Sequence, residues 1–173
     1  TGDDITGDGS EGNPYLTLQR SVTAAIDGNN IYVASGTYSG EKNRNVTIDK
    51  DISIIGDNQE DTIFDAENEE GPIITIEYES DIILEELTFQ NAIATSGSFI
   101  HSGGKLIIKN VTFENGTSTM GGGAIFSYGS VCIIKDSTFN NNSATTKNYG
   151  RGGAIQSIGE ILKILNSTFT NNS

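Results

Sequence analysis

The chain has 173 residues, which is enough for one domain with a substantial core. Its 23 Asp and Glu residues outnumber its 10 Lys and Arg residues, and the formal net charge of −13 argues against nucleic acid as a partner. A single cysteine excludes a disulfide within the chain. No stretch approaches the roughly 18 apolar residues of a membrane-spanning helix, so we expect no membrane insertion by this segment.

The first residues, TGDDITGDGSEGN, combine glycines with oxygen-bearing side chains. Calcium prefers oxygen ligands, but the spacing here is not that of an EF-hand loop. The side chains in question are those of Asp3, Asp4, Asp8, Ser10 and Asn13. We favour a Gly-rich turn that leads into a helix, and we predict no metal site and no cofactor.

A short helix is predicted next. Asn13 and Pro14 fit an N-cap and a first helical residue, and Gly28 can end the helix. Its apolar face would consist of Leu18, Val22, Ala25 and Ile26. We expect residues 1–28 to form an N-terminal cap on residues 29–173, with both parts belonging to a single domain.

Acidic residues are concentrated in residues 51–104, which contain thirteen Asp and Glu residues and no Lys or Arg. A surface of this kind repels anionic polymers at low salt. We interpret it as a solvated, solubilising face rather than as a face that attracts cations.

The rest of the chain repeats a pattern. Four Phe residues are each followed two positions later by Asn: Phe89 and Asn91, Phe113 and Asn115, Phe139 and Asn141, Phe169 and Asn171. Seven positions before each Phe stand Ile82, Leu106, Cys132 and Leu162, and five before stand Leu84, Ile108, Ile134 and Ile164. Repeats of 24 to 30 residues with apolar columns indicate a solenoid, whose units bury their apolar side by stacking.

Each repeat alternates apolar and polar residues, which indicates strands rather than helices. A shift of phase at Asn110 suits a turn, and Asp136 and Asn166 occupy the same column. Asn tolerates the left-handed conformation of such a bend, and stacked Asn side chains can hydrogen-bond to each other. The pattern therefore predicts a parallel β-helix.

When residues are counted from the Phe column, one segment accounts for all the change in repeat length: the segment between the Asn and the next Gly grows from 6 to 8 to 12 residues. Its longest copy, NSATTKNYGR, carries the predicted binding residues Lys147, Asn148, Tyr149 and Arg151. Tyr149 could stack on a sugar or on a partner side chain, and Lys147 and Arg151 could bind an anionic group. The alternative is an insertion that binds nothing.

Two stretches carry a resemblance to known families. GGAIQS and ILNSTFTNN resemble the repeats of methanogen (archaeal) adhesin-like surface proteins and, more distantly, of polymorphic outer-membrane autotransporters. Residues 8–40 are similar to the N-terminal entry of pectin-lyase-like β-helices. This resemblance implies a right-handed parallel β-helix, here of about six coils, and an extracellular location at the cell surface.

Three functional classes remain open after this comparison. The resemblance favours a non-catalytic adhesin or stalk segment that presents loops to a glycan or protein on another cell. A polysaccharide lyase or hydrolase would need clustered carboxylates with a basic residue on one outward face, and we find no such set in the sequence. A carbohydrate-binding module is the third class, although the chain has six Tyr residues and no Trp for stacking on sugars.

Some residues with chemical potential have structural explanations. Cys132 occupies an apolar column and is expected to be a buried thiol. His101, the only histidine, aligns with Ser127 and Ser157 when residues are counted back from the Phe column, and we expect it to be structural. Among six Asn-x-Ser/Thr sequons, Asn45 lies outside the repeat and is the best glycosylation candidate.

The C-terminal residues complete a repeat with NSTFTNNS and contain no amphipathic cap. An uncapped solenoid end exposes apolar side chains and strand edges. We therefore expect that the native protein continues beyond Ser173, and that this segment can associate end to end through its last coil.

Overall fold

A computed structural model of the chain describes residues 2–145 and 152–173. In these residues the chain is an all-β solenoid of parallel strands with one short N-terminal α-helix, as the sequence predicted. Six strands stack in the longest sheet path, so the chain makes about five full turns. The right-handed sense of the winding stays a prediction from the resemblance.

Helix α1 spans Leu18–Ala24, and a 3-10 helix spans Glu41–Asn43. The described residues form eighteen strands: β1 (Asn29–Val33), β2 (Gly36–Tyr38), β3 (Val46–Ile48), β4 (Ile52–Gly56), β5 (Thr62–Asp65), β6 (Ile74–Ile76), β7 (Asp81–Gln90), β8 (Ile93–Ser96), β9 (Ile100–Ser102), β10 (Lys105–Glu114), β11 (Thr117–Gly121), β12 (Ile125–Ser127), β13 (Val131–Lys135), β14 (Thr138–Asn140), β15 (Ser143–Ala144), β16 (Ile155–Ser157), β17 (Ile161–Leu165) and β18 (Thr168–Thr170). Within the described residues, no helix is long and apolar enough to cross a membrane.

The strands form four faces. Face A contains β1, β4, the first halves of β7 and β10, β13 and β17. Face B contains β2, β5, the second halves of β7 and β10, β14 and β18. Face C contains β3, β6, β9, β12 and β16, and face D contains β8, β11 and β15. We number the coils 1 to 6 by their face A strands, from β1 in coil 1 to β17 in coil 6, and each face C strand is assigned to the coil of the face A strand that follows it.

An aromatic stack runs through the core beneath face B. Neighbouring ring centroids lie 4.7 to 5.5 Å apart in the series Tyr38, Phe64, Phe89, Phe113, Phe139 and Phe169. These residues pair directly with one another in the strand registers, so the rings stack as a consequence of the backbone ladder. The predicted inward Phe column is confirmed.

Left-handed residues make the bend between faces A and B. Glu86, Asn110, Asp136 and Asn166 all have φ between 48° and 56°. The Asn110 side chain donates a hydrogen bond to Glu86, and that of Asn166 donates to Asp136. The predicted Asn bend is confirmed, and its side chains tie neighbouring coils together.

A second Asn ladder lies at the end of face B. Asn91, Asn115 and Asn141 have φ values of 57°, 59° and 55°. Asn115 Nδ2 donates to Asn91 Oδ1 at 3.3 Å, and Asn141 Nδ2 donates to Asn115 Oδ1 at 2.8 Å. Asn115 and Asn141, which both lie in sequons, therefore serve the fold, whereas Asn45 lies exposed outside both ladders.

The cap differs in detail from its prediction. Helix α1 begins after Thr17, whose side chain accepts a hydrogen bond from Arg20 N, so Asn13 is not the N-cap. Leu18 and Val22 are buried in the core, but Ile26 is 70% exposed because the helix ends at Ala24. Lys50 Nζ donates to the carbonyl groups of Val22 and Ala25, which otherwise lack helical partners.

The alignment of His101 is also wrong by one residue. His101 pairs with Phe126 in the ladder, and Ser102 is the residue that pairs with Ser127. Four positions separate Ser102 from Leu106, whereas five separate Ser127 from Cys132, although Leu106 and Cys132 pair directly. The turn between faces C and A therefore also varies in length. Counting residues back from the Phe column includes this turn, so the count misaligns His101 by one residue.

The last coil lacks a covering layer in the described residues. Leu162, Ile164 and Phe169 are 39% to 44% exposed, whereas their partners one coil earlier are fully buried. The expected end-to-end association through this coil stays a prediction.

Replacing Phe139 by Ala should lower the free energy of unfolding by about 3–5 kcal/mol, because a buried ring between Phe113 and Phe169 is lost. Denaturant unfolding measures this change. The outward Phe126→Ala substitution is the matched control and should cost about 1 kcal/mol or less. A loss below about 1 kcal/mol for Phe139→Ala would contradict the inward stack.

Candidate functional site

The predicted binding residues Lys147, Asn148, Tyr149 and Arg151 lie outside the residues that the structure describes. The described residues instead present a cluster of outward aromatic side chains on and beside face C. This cluster, here called the aromatic patch, consists of Tyr78, His101, Phe126 and Tyr128.

Face C places these side chains outside through its strand alternation. On β9, Ile100 and Ser102 point inward, so His101 between them points outward, and Phe126 does the same on β12. The parallel register sets His101 directly beside Phe126, with Thr75 and Gln156 on the flanking strands. The patch therefore spans neighbouring coils along the solenoid axis.

The rings are in mutual contact. His101 lies 5.2 Å from Phe126 and 5.3 Å from Tyr128 between ring centroids, and Tyr128 lies 6.0 Å from Tyr78. His101 Nδ1 is 3.3 Å from the Ser96 carbonyl oxygen, which orients the imidazole ring. Tyr78 is 69% exposed, and the other three are half-buried, so the cluster offers ring surface to solvent.

A glycine lets Tyr128 join the patch. A Cβ atom at Gly103 would lie 2.9 Å from both Cε2 and Oη of Tyr128. The ring therefore occupies the space that any side chain at position 103 would take, and it reaches across coil 4 towards Tyr78 on coil 3. The patch therefore requires a glycine at position 103.

The surroundings of the patch are acidic. Glu77 and Glu79 are exposed on either side of Tyr78, and residues 51–104 contain no Lys or Arg. An anionic ligand would meet repulsion at this position, whereas a neutral ligand would not. The rings provide apolar surface, and the two hydroxyl groups and the imidazole provide hydrogen-bonding capacity at the edges.

The acidic and basic side chains of the described residues form pairs rather than larger clusters. They contain no group of three or more His, Cys, Asp and Glu side chains that could hold a metal ion. On face A, Lys109 is paired with Glu85, and Lys105 Nζ lies 2.7 Å from Asp81 Oδ2. These ion pairs place each base against a carboxylate of the preceding coil.

The N-terminal acidic residues form a hydrogen-bonded turn ahead of helix α1, as predicted. Asp3 accepts hydrogen bonds from the backbone of Ile5 and Thr6, and these bonds lower the pKa of Asp3. Burial raises the pKa of Asp4, but hydrogen bonds from Thr17 and Leu16 outweigh burial and leave that pKa below its usual value. The carboxylates are thus engaged by the chain itself.

Cys132 is buried, and burial raises the pKa of its thiol to about 11, although the nearby Ser127 hydroxyl lowers it. The reactive thiolate is therefore scarce at neutral pH. This arrangement agrees with the expected structural role.

Native protein at pH 8 should react with Ellman's reagent at least about a hundredfold more slowly than the unfolded chain, because the thiol is buried and protonated. The absorbance of the released thiolate measures both rates. The same chain in denaturant is the control, since it has one cysteine. Comparable native and denatured rates would place Cys132 at the surface.

No family model, curated protein or solved structure matches this chain.

Proposed function

We propose that this chain is a non-catalytic segment of an extracellular, cell-surface adhesin, and that it binds a glycan of another cell on the aromatic patch. The observation that carries the proposal is the contact of four outward aromatic side chains across neighbouring coils. The resemblance to methanogen adhesin-like repeats and to pectin-lyase-like β-helices supports the location and the adhesive role.

The solenoid suits a support that holds a ligand site in a fixed position. Backbone ladders and the aromatic stack join each coil to the next, so parallel sheets run from coil to coil along the solenoid. A site built on strands is held more rigidly than a site on a loop. The aromatic patch gains this rigidity because His101 and Phe126 are both strand residues.

A glycan fits the chemistry of the patch. Aromatic rings pack against the apolar C–H faces of sugars, and nearby hydroxyl and imidazole groups hydrogen-bond to sugar hydroxyls. The cluster extends along the solenoid from coil 3 to coil 5, so it favours a short oligosaccharide over a single sugar. The acidic surroundings favour neutral sugars over uronic acids.

The predicted binding residues Lys147, Asn148, Tyr149 and Arg151 remain a second proposed contact, for an anionic group of a glycan or of a protein partner. Their cationic groups would suit an anionic group, whereas the aromatic patch would not. The two proposed sites therefore differ in the charge of the glycan that they select.

Replacing Phe126 and Tyr128 together by Ala should weaken binding of neutral glycans by about tenfold or more, because two stacking rings are removed. A glycan array identifies the ligand, and calorimetry measures its affinity. Tyr32→Ala is the matched control, since Tyr32 is 75% exposed on face A, away from the patch. Replacing Lys147, Tyr149 and Arg151 by Ala tests the loop separately.

Unchanged affinity in the Phe126 and Tyr128 double variant would remove the patch from the proposal. Incubation with polygalacturonate and other glycans tests the enzymatic alternative, a pectin-lyase-like lyase or hydrolase. New unsaturated products or reducing ends would contradict the non-catalytic assignment.

Gly103→Ala should weaken the same glycan binding by about two- to fivefold, because the new Cβ displaces the Tyr128 ring. The displaced group is the end of a side chain, so the free energy of unfolding should change by less than about 0.5 kcal/mol. Calorimetry and denaturant unfolding measure the two quantities. Normal glycan affinity in this variant would show that the position of Tyr128 is irrelevant to binding.

A further inference from the structure

Face A carries an outward apolar ladder. Ile83, Ile107 and Ile133 pair directly in neighbouring strands, and all three are half-buried on the outer side of the sheet. A shallow groove of about 280 Å³ lies beside the first two isoleucines and is lined by Asp51, Ser53, Asp81, Ile83, Lys105 and Ile107, among others. The centre of this face is therefore apolar and its margins are charged.

The charges on face A are ordered along the solenoid. After residue 104, the described chain contains four basic residues, and all of them lie on this face: Lys105, Lys109, Lys135 and Lys163. The acidic residues of face A lie on the earlier coils, namely Asp51, Asp81 and Glu85. One half of the face is thus acidic and the other half is basic.

This order makes the face self-complementary in one orientation. If two copies meet face to face with their solenoid axes antiparallel, coil 3 of one copy opposes coil 4 of the other. Asp81 then meets Lys105 of the second copy, and Glu85 meets Lys109 of the second copy. Ile83 meets Ile107 of the second copy between these charge pairs.

The pairs already present within one copy reinforce this arrangement. Asp81 is bonded to Lys105, and Glu85 to Lys109, within each copy. In the antiparallel dimer, each of these pairs lies against the same pair of the second copy. Asp81 and Lys105 of both copies then form one ring of four alternating charges, and Glu85 and Lys109 of both copies form another. Ile83 and Ile107 of both copies lie between the two rings. Parallel axes would instead set Asp81 against Glu85 and Lys105 against Lys109, which are like charges.

We propose that face A is a homophilic docking surface whose occupant is face A of a second copy of this chain, in antiparallel orientation. The surface is separate from the aromatic patch and does not depend on glycan binding. It is also distinct from end-to-end association through coil 6, because docking on face A involves the outward side chains of the strands and not the exposed end of the solenoid.

The size of the face sets the expected strength. Six strands at about 4.8 Å and five residues at about 3.3 Å give a surface on the order of 500 Å² per copy. Stable complexes bury about 800 Å² per partner, so the dimer is weak, with a Kd on the order of 0.1–1 mM. Weak contacts of this kind become effective when many copies are displayed together.

Sedimentation equilibrium of the 173-residue chain, up to about 1 mM and at low and high salt, tests the proposal. We expect a dimer whose population falls at high salt, because charge pairs align it. Ile107→Asp should weaken the dimer at least tenfold, since it places a carboxylate in the apolar centre. Ile63→Asp makes the same change on an outward position of face B and should leave the dimer unchanged.

A charge-exchange pair tests the orientation. Lys105→Glu with Lys109→Glu gives one variant, and Asp81→Lys with Glu85→Lys gives the other; neither should dimerise alone, and their mixture should form a heterodimer. Thermal melts establish that each variant is folded. A strict monomer at 1 mM, a dimer whose Kd is unchanged in Ile107→Asp, or a mixture that stays monomeric would each overturn the proposal.

Discussion

The structure depends on the register in which each coil stacks on the one before it. In that register, Phe89, Phe113 and Phe139 lie above one another, and backbone ladders pair each of their strands with the corresponding strand of the next coil. A slip of one residue would turn the inward side chains outward. Because the bends at Glu86 and Asn110 adopt the same left-handed conformation, each coil begins face B at the same point.

This inward constraint leaves the outward positions free to diverge. The residue between the inward side chains of face C is Thr75, His101, Phe126 or Gln156, whereas the inward residue before it is Ile in every coil from β6 to β16. Outward residues can therefore acquire a binding function without any change in the core. The aromatic patch on face C and the charge order on face A are two such outward patterns.

The sequence predicted the fold well because the fold repeats. Inward columns and Asn bends recur at nearly constant spacing, so they are visible without coordinates. The aromatic patch was missed because its members do not recur, and because a turn between Ser102 and Leu106 is one residue shorter than its successor. Alignment on the Ile-x-Ser triplets of β9, β12 and β16 would have placed His101 beside Phe126.

The N-terminal helix was predicted correctly, but its N-cap was not, since Thr17 and Asn13 are both competent N-caps by residue type. Asp4 decides between them in the folded chain: it accepts hydrogen bonds from Leu16 N, Thr17 N and Thr17 Oγ1, and so fixes the residue before the helix. That contact joins positions 13 residues apart, which local propensity does not encode.

The two proposed surfaces share no side chain, because the patch belongs to face C and the turn beyond it, while the docking surface belongs to face A. A dimer formed through face A would therefore keep both aromatic patches available and would carry two glycan sites on one rigid body. Two linked sites bind a multivalent surface more tightly than either site alone, provided that their spacing matches the ligand. Self-association would thus strengthen adhesion without any change in the affinity of a single patch.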